Sequence, residues 1–110
     1  MGKQIIAVDL GGTQIRTARY DEHLNLLQRE NTLTLADEGL EPTLERLKEY
    51  IQKVMPENKD DVRGIGFSAP GPLNPITGVI VAPPNLEGWH NVPLADIIHE
   101  EFGVPVFVGN

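Results

Sequence analysis

The chain has 110 residues, of which 40% are hydrophobic and 23% charged, the usage of one folded α/β-sized domain with a modest core and not of a disordered polyampholyte. Nine Lys and Arg against sixteen Asp and Glu leave a formal charge of −7, so no global positive field exists to hold a nucleic-acid backbone or an anionic membrane. Cysteine is absent and the three histidines, His23, His90 and His99, are scattered, which excludes disulfides and the common zinc motifs and fits a cytoplasmic, zinc-free segment.

The start Met1-Gly2-Lys3-Gln4 leads into the apolar run Ile5 to Val8, too short for a signal peptide or a membrane span. That run ends in Asp9-Leu10-Gly11-Gly12-Thr13, which predicts a strand buried on both faces that breaks at a glycine turn. Ile15 to Tyr20 and Leu24 to Leu35 flank the polar Asp21-Glu22-His23 and read as two further strands joined by a tight turn. From Leu40, the spacing of Leu44, Leu47, Ile51 and Val54 predicts an amphipathic helix stopped by Pro56. Val62 to Phe67 reads as a second buried strand that ends abruptly in Ser68-Ala69-Pro70-Gly71-Pro72, and its glycines imply close approach of another backbone or a ligand.

A loop rich in Pro, Asn and Gly then runs to Asn91, and within it Val79-Ile80-Val81 is expected to pair back with Leu73 as a hairpin arm. Pro93 suits a first helical turn, Leu94, Ile97, Ile98 and Phe102 share a face, and Gly103 suits the helix end. Pro105 to Val108 reads as a final strand, and Asn110 follows it without a polar tail, an ending that looks like a cut. The order β-β-β-α-β-(loop)-α-β, with three antiparallel strands before the crossovers, predicts an α/β mixed sheet with helices packed against it.

The strongest local motif is Asp9-Leu10-Gly11-Gly12-Thr13-Gln14-Ile15-Arg16. Two consecutive glycines allow a tight turn whose N–H groups face one anion together, and the Thr13 hydroxyl adds a donor. Asp9, at the carboxyl end of the strand, is well placed to hold Mg²⁺ through water beside a phosphate. The plain alternative is an Asp-Gly hairpin with no ligand. Gly64-x-Gly66-x-x-Ala69 matches a relaxed dinucleotide fingerprint by letters, but Pro70-Gly71-Pro72 follows where a helix is required. No Walker A sequence occurs. The remaining strand ends and the loop Pro83-Pro84-Asn85-Leu86-Glu87-Gly88-Trp89 bring stiff backbone and Asn amides, which suit hydroxyl recognition. For Trp89 the plainer role is capping the core, and for the histidines a surface or helix position.

Taken together, Asp9-x-Gly11-Gly12-Thr13-x-x-Arg16, Gly64-x-Gly66, Ala69-Pro70-Gly71-Pro72-Leu73, Pro84-Asn85-Leu86-x-Gly88-Trp89, Val92-Pro93-Leu94 and Gly103-x-Pro105-Val106 resemble the ROK family of sugar kinases and sugar-responsive repressors. The resemblance implies a ribonuclease-H-like (actin-like ATPase) fold and the N-terminal lobe of an ATP- and Mg²⁺-dependent hexose kinase, truncated at its C-terminal end. It implies that Asp9, Gly11, Gly12 and Thr13 meet the ATP phosphates, with Mg²⁺ on the Asp9 side. Gly71, Asn85 and Asn110 become sugar contacts, and the catalytic base is expected immediately after Asn110, so that the chain alone would be inactive. The other reading is the sugar-sensing domain of a ROK-type repressor, although the DNA-binding module expected before Asp9 has no room in the residues ahead of Lys3. A homo-oligomer is expected, because the last strand, Val106 to Val108, would leave apolar surface and an edge uncovered.

Overall fold

The computed structural model describes residues 3–110, and the Met1-Gly2 start lies outside them. The first strand, β1 (Gln4–Leu10), alternates, with Ile6, Val8 and Leu10 buried and Ala7 and Asp9 exposed. β2 (Gln14–Tyr20) runs antiparallel to it, with Leu10 opposite Ile15 and Asp9 opposite Arg16. β3 (Leu26–Leu33) pairs antiparallel with β2 and is shorter than the run Leu24 to Leu35 predicts. Left-handed backbone sets both limits: Leu24 has φ 65° and Leu35 φ 53°, conformations that cannot continue an extended strand. At the first limit the Asp21 carboxylate accepts the N–H groups of His23 and Asn25 at 2.8 and 2.9 Å, closing an Asx-type turn. The Asn25 amides, and then that of His23, hold the Asp21 carboxyl below the usual carboxylate range.

α1 (Leu40–Val54) buries Thr43, Leu44, Leu47, Ile51 and Val54, the stripe that the periodicity predicts. Its last turn would leave carbonyls without partners, and the sheet supplies them. Arg19 Nε donates to the Val54 carbonyl and Gln28 Nε2 to that of Lys53, each at 2.7 Å; one turn earlier, Thr17 Oγ1 adds a second donor to the Tyr50 carbonyl at 2.9 Å. The helix is thus fastened to β2 and β3 by side-chain hydrogen bonds as well as by its apolar face.

β4 (Val62–Ser68) lies parallel to β1 on the side away from β2. After it, β5 (Leu73–Asn74), β6 (Val79–Ile80) and β7 (Val92–Pro93) make a small antiparallel sheet in which Leu73 faces Ile80, the predicted hairpin. Its third arm is a departure: Pro93 ends β7 instead of opening the helix, and α2 (Leu94–Phe102) starts at the next residue. Leu94, Ile98 and Phe102 are buried, and Gly103, at φ 71°, ends the helix with its N–H on the His99 carbonyl at 2.7 Å. β8 (Val106–Gly109) then pairs parallel with β4.

The large sheet has the order β3-β2-β1-β4-β8, a mixed sheet in an α/β chain. The crossovers β3-α1-β4 and β4-α2-β8 step the same way across it, and right-handed connections that do so put both helices on one face. Lys48 of α1 accordingly lies 3.6 Å from Glu101 of α2. Ile6, Val8, Ile15, Ile65, Phe67 and Val108 form one core with the helices. The other face carries Ala7, Asp9, Arg16 and Ser68, all exposed, and Phe107 at 67% exposure. The run Ile5 to Val8 is therefore buried on one face and not on both, because both crossovers cover the same side. Gly64 fits the expected close approach: a Cβ there would lie 3.3 Å from the Pro105 carbonyl oxygen and 3.5 Å from the Phe107 ring.

Candidate functional site

The three parallel strands end level with one another: Asp9 of β1 is in register with Ser68 of β4, and Ser68 with Gly109 of β8. The sequence-predicted site residues gather at this carboxyl edge, where open α/β sheets present ligand-binding loops.

Between β1 and β2, Gly11 N–H donates to the Gln14 carbonyl at 2.9 Å and closes the turn. That bond corrects the expectation of an anion nest made by both glycines, because the Gly11 amide is used within the turn. Among the described residues, the Gly12 and Thr13 amides make no backbone hydrogen bond, and with the Thr13 hydroxyl they form the donor set. The turn is held from outside by Thr34, just past β3. Its buried Oγ1 donates to the Gly11 carbonyl at 2.7 Å, and its N–H to that of Thr13 at 2.8 Å. Arg46 of α1 in turn donates to the Thr34 carbonyl and pairs with Glu38. Sequence reasoning missed Thr34 and Arg46. The sequence carried no signal for either: Leu33 and Leu35, the apolar residues on each side of Thr34, are exposed while Thr34 is buried.

The hollow over this turn measures about 430 Å³ and is lined by Asp9, Gly11, Gly12, Thr13, Gln14 and Arg16. Asp9 is exposed there and makes no ion pair or hydrogen bond among the described residues. The free amides suit a phosphate oxygen, and one free carboxylate suits Mg²⁺, which keeps most of its ligands as water and phosphate oxygen. No group of three or more His, Asp or Glu that could hold a metal by itself is present among the described residues.

The three expected sugar contacts separate into two places. Gly71 and Asn110 share a hollow of about 310 Å³ with Pro72, Leu73 and Pro75, and a Cβ on Gly71 would lie 3.1 Å from Asn110 Nδ2. Asn85 lines neither hollow. It sits against the Gly11–Thr13 turn instead, with its Cβ 2.7 Å from where a Cβ on Gly12 would be. Gly12 thus lacks a side chain because another loop occupies the space. Leu86 and Trp89, 2% and 1% exposed, anchor the Asn85 loop in the core, which confirms the capping role of Trp89. His99 Nδ1 lies 2.8 Å from the Val104 carbonyl oxygen at the end of α2, and His23 and His90 are exposed; none lines either of these two hollows. No described helix is long and apolar enough to cross a membrane.

Similar proteins cover this whole arrangement. The chain is 32% identical over 107 residues to a glucokinase of Thermotoga maritima, covering 97% of the chain and 33% of that protein. It is 30% identical over 109 residues to a xylose repressor of Caldicellulosiruptor bescii, covering 96% of the chain and 27% of the repressor. Among solved structures, a ROK family glucokinase from Streptomyces griseus in complex with glucose and AMPPNP superposes with a TM-score of 0.84 at 26% identity, over 97% of this chain and 33% of that one. The chain spans about a third of the length of these relatives. The ROK family model matches residues 5–110, from the start of the sheet to the Asn110 hollow, and the chain belongs to the ROK family.

Proposed function

We propose that the chain is the N-terminal lobe of an ATP-dependent hexose kinase of the actin-like ATPase fold, and that it holds the phosphoryl donor on one side of the sheet edge and the sugar on the other. The observation that carries this reading is the common edge itself. The phosphate turn after β1, the Gly71 loop after β4 and Asn110 after β8 all leave the sheet at one level, and Gly12 touches Asn85. Such a contact brings a donor site and an acceptor site within reach of each other.

In this reading the Gly12 and Thr13 amides and the Thr13 hydroxyl hold oxygens of the donor phosphates, and Thr34 keeps those donors from moving as charge develops. Asp9, the free carboxylate of the hollow, would hold Mg²⁺ beside those phosphates. Bound Mg-ATP supplies the transferable γ-phosphoryl group and a cation that neutralises its charge. The Asn110 amide, beside the Gly71 backbone, both donates to and accepts from sugar hydroxyls, and Asn85 does the same from the neighbouring loop. The base that removes the proton of the attacking hydroxyl is supplied by the residue expected after Asn110. Homologues include a glucokinase, which favours a hexose over other polyols.

The similarity to a xylose repressor at nearly the same identity supports a second reading, a sugar-sensing domain that binds sugar without turnover. One assay separates them: the full-length protein is given Mg-ATP and a panel of hexoses, with ADP release coupled to NADH oxidation. Sugar-dependent ADP release is expected. Sugar binding by calorimetry with no ADP release would favour the repressor, and neither would remove both readings.

A further inference from the structure

β3 ends the large sheet, with β2 on one side and no strand among the described residues on the other. One bond fixes the direction of its free backbone groups. The Thr34 N–H donates to the Thr13 carbonyl at 2.8 Å, and Thr13 continues the pairing of Gln14 with Leu33. Hydrogen-bonded and non-hydrogen-bonded positions alternate along an antiparallel pair, so Thr32, Glu30 and Gln28 also turn their N–H and C=O groups toward β2. Arg29, Asn31 and Leu33 turn theirs outward, and such a row is a template for another strand. Its limits are set on both sides. The register shift between Arg19 and Tyr20 leaves Leu27 as a bulge without a counterpart on β2, and Leu35 is left-handed. Asn31 is therefore the middle of the outward row.

Lys and Pro, which commonly guard exposed edges, are absent from β3. Five of the eight large apolar residues exposed among the described residues, Leu24, Leu26, Leu27, Leu33 and Leu35, lie on this strand or beside it. A second copy fits the edge best in one antiparallel register. Turned about Arg29 or Glu30, it would set two like charges directly opposite each other, which is destabilising. Turned beyond Asn31, it would put Arg29 opposite Leu35, where the strand has ended. Turned about Asn31, Arg29 lies opposite Leu33 of the second copy, Glu30 lies opposite Thr32, and the two Asn31 amides meet. Every outward N–H and C=O of Arg29, Asn31 and Leu33 then has a partner. We propose that β3 is a self-association edge, at which two copies pair antiparallel about Asn31 and join their large sheets into one. This edge is at the far side of the sheet from β8 and is separate from the face that carries Phe107.

The chain contains no cysteine, so single cysteines report the register. Hydrogen-bonded residues directly opposite each other have Cα atoms about 5.5 Å apart, a separation that a disulfide spans. Asn31→Cys is expected to give a disulfide-linked dimer with oxidised glutathione, read on a non-reducing gel. Leu27→Cys, also exposed on β3, lies far from its counterpart in this register and is expected to stay unlinked. The second measurement is mass by sedimentation of the Phe107→Lys chain, in which the apolar ring of the open face is gone. That chain is expected to be a dimer. Adding Asn31→Pro removes an outward N–H and none that bonds to β2, so a monomer with a similar urea midpoint is expected. Linking of Leu27→Cys as fast as Asn31→Cys would overturn the register and the proposal with it. A monomeric Phe107→Lys chain, or a dimer that survives Asn31→Pro, would overturn β3 as the contact. Where Asn31→Pro does not fold, the two cysteine variants decide the question alone.

Discussion

At the scale of single residues, Gly12 is where the two halves of the proposed site meet. A methyl group added there would fall 2.7 Å from Asn85 Cβ and 3.1 Å from the Asn85 carbonyl oxygen, so the backbone of one loop must shift. Gly12→Ala is expected to destabilise the chain by about 1–3 kcal/mol, the usual cost of overpacking, and to move the backbone amide signals of both Gly12 and Asn85. Urea unfolding and an NMR spectrum check the two effects, and an unchanged Asn85 signal would contradict the contact. The turn between β1 and β2 was legible in the sequence because its pattern is local: a carboxylate, two glycines and a threonine within five residues. The Asn85 contact was not, since it joins residues separated by α1 and β4, and no spacing rule relates them. Neither was the use of the Gly11 amide inside the turn, which depends on where the Gln14 carbonyl points.

Among the elements, α1 carries the site indirectly. Its buried stripe packs on the sheet, and through Arg46 and Thr34 it steadies the Gly11 and Thr13 carbonyls. Leu47 is fully buried at the centre of that stripe, so Leu47→Ala is expected to cost about 2–5 kcal/mol, read as a lower urea midpoint with little change in slope. The same variant should loosen the turn, seen as faster amide exchange at Thr34. The helix was readable because fifteen residues give the 3.6-residue period several repeats. β7 was not, because two residues show no period and Pro93 suits a helix start as well as a strand edge. The over-long reading of β3 has a similar cause: leucines at positions 24 and 35 continue the apolar pattern while their backbones have turned left-handed.

For the whole molecule, the uncovered face of the large sheet and the β8 edge have consequences of their own. Phe107 is 67% exposed beside Gly64 on that face, and an apolar ring over an open sheet favours association. The 110-residue chain is expected to self-associate in light scattering, and Phe107→Lys to reduce its apparent mass; a monodisperse monomer in both would contradict this. Sequence pattern predicted a mixed sheet with helices against it, but not that a single face would be covered, which follows from the direction of the two crossovers. The central claim, that the Asp9 turn handles the phosphates of a sugar kinase, is tested most directly by the turnover of Asp9→Asn in the full-length protein at saturating Mg-ATP. The substitution keeps the shape and removes a charge beside developing phosphate charge, so kcat is expected to fall about a hundredfold or more with sugar affinity retained. Unaltered turnover would contradict the account.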